Sequence, residues 1–592
     1  MIYLFGAVGL VYAFDKYLYY ECLTRTLRSF ISGVTVAIDY KVNFRQNPPF
    51  ADSLAEVHAR NADRLYELLR ANGGLYHKVG QAVAMNVGQV LPEEFQKKFA
   101  RMFDDTPQHG WSVIEKVIRE EFGKSPEDVF GVSFTGEPGK GVMERKARAS
   151  ASVAQVHWAR LPNGEEVAIK IQKPEIITQM KWDLWAFKVL TNAFAWSFDL
   201  PLASLVPYIS ERLALETDFI NEANNSDRMK ACVAQEPRLN GKVYIPKVYR
   251  EFSSKRVMTA EWIEGVRLFD KDTITAPWKG QRGHGSPGCR GEPLDGPSAG
   301  MQKSNIGVRV DDVHFKPERN AWRGKDGKGG LGLTTKEVMQ VMIDLFSAQT
   351  FLFGFLHADP HPGNIFIRRQ PNGQCDFTLI DHGLYVDETP EFRQQYCLFW
   401  RSLLALDNKT LGQVTRDWGI NNADFFASAT LMRPYQGSDP EKLKMPKSGT
   451  TKEERMAQQL EMEKRFRKGI RDIFGDQSKL PRELIFLGRN QRIVMQNNQF
   501  LGSPVNRIKI IGNWASRSLT EDPNLTMFQR WRYWGSHLVF KLVMFTSDIA
   551  FYTSKLRQWM GKGSGLEAEI EAHLSAVAKD LGVDLKEGMF KG

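Results

Sequence analysis

The stretch GFLHADPHPGNIFIRR, residues 354–369, constrains this chain more than any other. Pro360 and Pro362 remove backbone donors and bar a helix through its middle. An apolar-periodic segment at 334–353 predicts a helix before it, and IFIRR predicts a strand after it. The middle is therefore a loop, and it holds His357, Asp359, His361 and Asn364. Such a loop either ligates a transition metal or belongs to a larger site. A histidine with a carboxylate two residues on suits zinc or iron. That reading leaves unexplained both Asn364 and Asp381, the latter in LIDHG after the next hairpin.

Upstream segments supply the parts of a larger site. ASASVAQVHWARLPNGEEVAIKIQKP reads as a small-residue loop and then a hairpin, with Lys170 on its second strand. ALETDFINEANN reads as one acidic helix bearing Glu216, Asp218 and Glu222, and RVMTAEWIEG as a short strand and hinge. Strand lysine, helix glutamate, hinge, catalytic loop and metal aspartate is the order of parts in protein kinases. The lysine neutralises phosphate charge, the loop aspartate meets the incoming hydroxyl or water, and an asparagine and a second aspartate hold Mg2+. Here His357-Ala358-Asp359 stands for His-Arg-Asp, Asn364 follows five residues later, and Asp381-His382-Gly383 stands for Asp-Phe-Gly. VAIK alone is a weak signal; four matches in order are specific. On this reading Asp359 and Lys170 are catalytic, Asn364 and Asp381 bind metal, and His357 orients the loop.

Composition narrows the class. A chain of 592 residues allows about three to four domains. Lys plus Arg is 79 against 69 for Asp plus Glu, a net charge of +10 that suits an anionic membrane surface or a polyphosphate. An ordinary solvated basic surface accounts for it equally well. No arginine-aromatic stripe or zinc finger is present, so nucleic acid is not an expected partner. The five cysteines are scattered with no C-x-x-C pair, which argues against a disulfide framework or cysteine zinc site. Residues 2–14 are apolar but span only ~20 Å as a helix, short of the ~30 Å hydrocarbon core. A crossing would need Asp15 and Lys16 to snorkel or pair; an interfacial helix with Tyr17, Tyr19 and Tyr20 at the lipid surface, a buried helix, and the hydrophobic region of a cleaved signal are the other readings. Gly283-x-Gly285-x-x-Gly288 formally matches a phosphate loop, but no strand leads in and no helix leads out.

The whole pattern resembles the UbiB or aarF-domain family of atypical kinases, which includes the coenzyme Q biosynthesis kinases. The likeness rests on VAIK, HADPHPGN and DHG, on KVGQ at Lys78–Gln81, and on ASAS at 149–152 where typical kinases carry a glycine-rich loop. LIDHGLY with EFRQQYCLFW resembles a mitochondrial branch linked to lipid homeostasis. The resemblance implies an α+β, atypical protein-kinase-like two-lobed fold with N-terminal KxGQ and C-terminal helical extensions. It implies that Glu222 pairs with Lys170, and that Glu216 meets Lys78 and Gln81 as a gate over the site. Glu216 and Glu222, six apart on one helix, would lie about 120° from each other and do different jobs. The implied nucleotide set is Ala149, Ser150, Ala151, Ser152, Lys170, Glu222, Glu261 and Ile263, with ATP and Mg2+ as cofactors. The implied location is the mitochondrion, at the inner membrane, with a lipid or prenyl-quinone intermediate as partner.

The expected divisions are 1–22 membrane anchor or interfacial helix, 50–140 KxGQ extension, 141–268 small lobe with hinge, 271–332 Gly/Pro-rich mobile insertion, 333–435 large-lobe core, and 436–592 C-terminal helices. The insertion is expected to be peripheral. Departures from typical kinases bear on activity. Side chains replace glycine in the phosphate loop, and no Ala-Pro-Glu motif follows Asp381-His382-Gly383. Peptide phosphorylation is thus disfavoured, and ATP hydrolysis or phosphorylation of a small molecule or lipid is expected. The rival readings are a non-catalytic nucleotide-gated scaffold or lipid-binding module, and a metal hydrolase built on His357 and His361.

Overall fold

The structure, a computed structural model, describes residues 2–45, 48–77, 93–99, 108–198, 206–290, 314–431 and 480–521, with Gly80, Leu294 and scattered positions between 526 and 560. The small lobe carries β1 (Val132–Ser133), β2 (Gly141–Met143), β3 (Ala149–Ser150), β4 (Ala154–Arg160), β5 (Glu166–Gln172) and β7 (Val257–Glu261), ordered β1-β2-β4-β5-β7 with β3 folded back on β4. β4 and β5 form the hairpin expected from Pro162-Asn163-Gly164, and Gly164 takes the left-handed φ of +88° that the turn requires. Alternation then decides orientation. Val167, Ile169 and Ile171 are fully buried against Ile114, Val117 and Ile118 of the helix Trp111–Phe122. Lys170 is thereby presented on the opposite face of the strand.

The large lobe is built on β6 (Val243–Tyr244), β8 (Val266–Arg267), β10 (Ile365–Arg369) and β11 (Cys375–Leu379), ordered β6-β11-β10-β8. A two-stranded ribbon, β9 (Phe355–His357) with β12 (Tyr385–Asp387), brackets the loop that carries Asp359 and Asn364. The helix Thr335–Ala348 is N-capped by Thr334, runs through the main core, and ends in a wider turn that Gly354 closes at φ +61°. The helix Arg507–Glu521 joins that core, with the Trp514 indole donating to Asp344 Oδ1 at 2.8 Å.

At the N-terminus the helix Ile2–Leu18 is followed by a second, Cys22–Asn43. Asp15, weighed above as a charge to be snorkelled through lipid, is instead buried in protein. It accepts from the Leu23 and Thr24 amides at 2.8 Å each and from Thr24 Oγ1 at 2.6 Å, capping the second helix. Arg25 of that helix forms a buried ion pair with Asp183 on the helix Ile176–Phe198. Among the described residues, no helix is long and apolar enough to cross a membrane.

The two described ends of the Gly/Pro-rich stretch are bound into both lobes. Arg319 pairs with Glu166 of β5 at 2.6 Å and with Glu264 beyond the hinge at 3.4 Å. The Phe315 and Lys316 amides donate to Glu144 Oε1 at 2.7 and 2.9 Å. Ser286 donates its amide to the Arg369 carbonyl of β10 at 2.8 Å. A Cβ on Gly285 would lie 2.5 Å from that same carbonyl, so this glycine serves close packing against a strand rather than a phosphate.

Candidate active site

Lys170 Nζ meets both carboxylate oxygens of Glu222 at 2.8 Å, and Glu222 is buried. The acidic stretch is not one helix. The helix Val206–Leu215 ends, Thr217 Oγ1 donates back to the Ala214 carbonyl, and Asp218 caps a new helix, Phe219–Gln235. Glu216 therefore lies in the junction, and the angular argument that placed it on Glu222's helix does not hold. A capping aspartate four residues before Glu222 was the overlooked signal. Lys78 and Gln81 lie outside the described residues, so the gate they were expected to form with Glu216 does too.

The helix Phe219–Gln235 also grips the Asp381 turn. Asn225 Nδ2 donates to the His382 carbonyl at 3.0 Å, and Asn221 Nδ2 reaches the Gly383 carbonyl at 3.5 Å. The Gly383 amide donates to Asp381 Oδ1 at 3.0 Å, and a Cβ on Gly383 would lie 3.4 Å from that oxygen and 3.9 Å from Glu222 Oε2. Lys170, Glu222 and Asp381 thus share one small volume.

The catalytic stretch is tied to the same place. His357 Nε2 lies 2.8 Å from the Asp381 carbonyl, and the Asp359 amide donates to His357 Nδ1 at 3.0 Å. Both ring nitrogens are consumed, so His357 orients the loop and is not a metal ligand. His361 Nδ1 accepts from the Gly363 amide at 3.1 Å, capping the turn Pro362–Asn364, and the Asn364 carbonyl accepts from the Ile380 amide at 3.0 Å. Asn364 is thereby placed beside Asp381. His357 and His361 thus spend ring nitrogens on backbone groups of the loop and of the Asp381 turn, which argues against the histidine hydrolase reading.

His382 is buried, with Nε2 3.2 Å from the Leu379 carbonyl and Nδ1 2.9 Å from the Tyr385 hydroxyl. A carbonyl only accepts, so Nε2 carries the proton and Nδ1 accepts from Tyr385. Burial, aided by neighbouring His357, pushes the His382 pKa down to about 3, and burial also lowers that of His357. Both rings are neutral at physiological pH.

The loop Ala149–Ser152 is folded in on itself. Ala149 and Ser150 pair with Val156 and Gln155, and the Ala151 amide donates to the Ala154 carbonyl at 2.7 Å. That donor is spent inside the hairpin, where a glycine-rich loop offers amides to phosphate. In the hinge, the Glu261 carboxylate is held by the Tyr244 hydroxyl at 2.6 Å and the Lys247 amide at 3.2 Å. The Ile263 amide pairs with no protein acceptor among the described residues.

Sequence reasoning missed the contribution of the helix Glu483–Phe500. Arg489 Nη2 lies 3.1 Å from Asp359 Oδ1 with both side chains largely buried, and Asn490 Nδ2 donates to the His357 carbonyl at 2.6 Å. Phe486 shares a buried apolar cluster with Ala358, the small residue in the place of the usual arginine. No periodicity announces contacts made across some 130 positions of chain.

Two lobes joined by a hinge, a paired strand lysine, and a catalytic loop tied to a metal-type aspartate define a kinase-like protein. Residues 101–415 match the ABC1 atypical kinase-like domain. The chain is 40% identical over 569 residues to the ABC1 family protein lscO of Purpureocillium lilacinum, covering 95% of this chain and 87% of that one. It is 36% identical to the ABC1 family protein C10F6.14c of Schizosaccharomyces pombe, covering 89% and 85%. It is 31% identical to AarF domain-containing protein kinase 1 of Mus musculus, covering 67% and 63%. The chain belongs to this ABC1, or UbiB/aarF, family of atypical kinase-like proteins. Such a domain is built for ATP with a divalent metal.

Proposed function

We propose that the protein transfers or hydrolyses the γ-phosphoryl group of ATP, acting on a small molecule, a lipid or water rather than on a protein. The observation that carries this reading is the convergence of the Lys170–Glu222 pair and Asp381 with the loop bearing Asp359 and Asn364. Lys170, fixed by Glu222, neutralises charge on the α- and β-phosphates. Asp359, tethered by its amide and by Arg489, accepts the proton of the attacking hydroxyl or orients water. Asp381 and Asn364 offer hard oxygen donors, which fits Mg2+ and excludes a soft-metal role. These two residues would hold Mg2+, which would supply neutralisation of phosphate charge. The Glu261 carbonyl and the Ile263 amide receive the adenine edge. The absence of an Ala-Pro-Glu segment supports a non-peptide acceptor.

The setting we propose is the inner mitochondrial membrane surface, in lipid or coenzyme Q homeostasis, with a lipid or prenyl-quinone intermediate as partner. Exposed apolar side chains support the membrane part: Tyr3, Leu10 and Tyr17 on the first helix, and Trp531, Leu538 and Phe545 near the C-terminus. Phosphate release by purified protein, compared with Asp381→Asn, tests the chemistry. Loss in the variant by about 100-fold is expected; equal release by both supports the scaffold instead.

A further inference from the structure

A cavity of about 310 Å³ opens between the exit of the hinge and the two ends of the Gly/Pro-rich stretch. Lys170, Glu222, Asp359, Asn364 and Asp381 do not line it. Its walls carry Arg267, Phe269, Trp322 and Arg323, with Glu264 and Asp270 beside them. The two carboxylates are already committed. Glu264 accepts from the Trp262 indole at 3.2 Å, from Arg319 at 3.4 Å, and from Lys316. Asp270 caps a short helix by accepting from the Thr273 amide at 3.1 Å. The arginines are not. Arg323 gives Nη2 to Thr273 Oγ1 at 2.9 Å, but its buried Nε has no partner among the described residues. Arg267 is exposed and lies over the Phe366 ring at 5.5 Å, and no carboxylate meets it among the described residues. Buried N–H groups are normally matched by an acceptor. Phe269, half exposed, and Trp322, stacked on Trp278 at 5.7 Å, add flat apolar surface.

We propose that this cavity binds a small organic anion, a phosphate ester or a carboxylate carrying a flat apolar body. Arg323 and Arg267 hold the anion, and Phe269 and Trp322 hold the body. A concave shape with mixed walls, two aromatic side chains beside a few donors, suits a small molecule that joins a charged head to a flat body. None of the phosphate-facing residues lines this site, and the proposal does not depend on the phosphoryl-transfer reading.

The test is a ligand-observed NMR titration of the full chain with phenyl phosphate, benzoate and benzyl alcohol, each with and without excess Mg·ADP. At least one anion is expected to bind with Kd of about 1 mM or tighter. Benzyl alcohol should bind about tenfold more weakly, and Mg·ADP should not displace the anion. Arg323→Gln and Arg267→Ala should each weaken anion binding about tenfold or more; the second changes an exposed side chain and leaves folding intact. The tighter anion tells a phosphate ester from a carboxylate. Binding by neither anion, equal binding of the alcohol, displacement by Mg·ADP, or unchanged affinity in both variants overturns the proposal.

Discussion

At the residue scale, the site is defined by side chains locked in buried pairs. Glu222 is buried and both its oxygens face Lys170. Glu222→Gln removes the charge that fixes the lysine, and phosphate release per folded molecule is expected to fall about 100-fold, with some loss of thermal stability because Lys170 keeps its charge without its buried partner. The buried histidines make stability depend on pH. His382 is held at about 3, and an unfolded histidine titrates near pH 6.5. Between those values the unfolded state binds the extra proton, so this stabilisation is complete above pH ~6.5 and is lost as pH falls, at up to ~1.4 kcal/mol per unit. Thermal melts of wild type and His382→Phe at pH 7 and pH 5 isolate the contribution. The drop on acidification should be smaller in the variant; equal drops contradict the assignment. Lys170, Asp359, Asn364 and Asp381 were legible in the sequence because kinase chemistry needs those types in that order. The environment of Glu216 was not, because a helix broken by a capping Asp218 reads as continuous acidic periodicity.

At the scale of elements, the helix Glu483–Phe500 acts as a backstop for the catalytic loop. The His357 carbonyl is buried and accepts from Asn490. Asn490→Ala leaves it unpaired and is expected to cost ~1–3 kcal/mol. Phosphate release per folded molecule should fall as well, since the loop carries Asp359; chemical denaturation and turnover measured together check both. The N-terminal helices offer a second case. Arg25 and Asp183 are each no more than 5% exposed, so Arg25→Ala strands a buried carboxylate and should cost about 3–5 kcal/mol in denaturant melts. The β4–β5 hairpin and the helix before the loop of His357 and Asp359 were readable because their signals are local. The capping of one N-terminal helix by Asp15 was not, since an acid after an apolar run looks the same whether it faces lipid or a helix end.

At the scale of the molecule, the described ends of the 271–332 stretch tie the two lobes together. Arg319 binds Glu166 in the small lobe and Glu264 beyond the hinge, while Ser286 holds β10 of the large lobe. Glycine and proline content suggested a peripheral segment, yet single arginines within such composition carry long-range ion pairs that composition does not encode. Arg319→Ala should loosen the hinge, seen as faster hydrogen exchange across 257–267 with the large-lobe core unchanged. The two-lobed plan was readable through the family resemblance that the ordered motifs carry. The most direct measurement of the site's convergence is a thermal-shift titration with ATP, with and without Mg2+, on wild type and Asp381→Asn. Wild type at about 100 Kd of Mg·ATP should gain ~2.7 kcal/mol and a matching rise in Tm, and the metal-dependent part of that rise should vanish in the variant. An identical shift in both proteins, or none in wild type, contradicts a nucleotide cleft assembled from Lys170, Asn364 and Asp381.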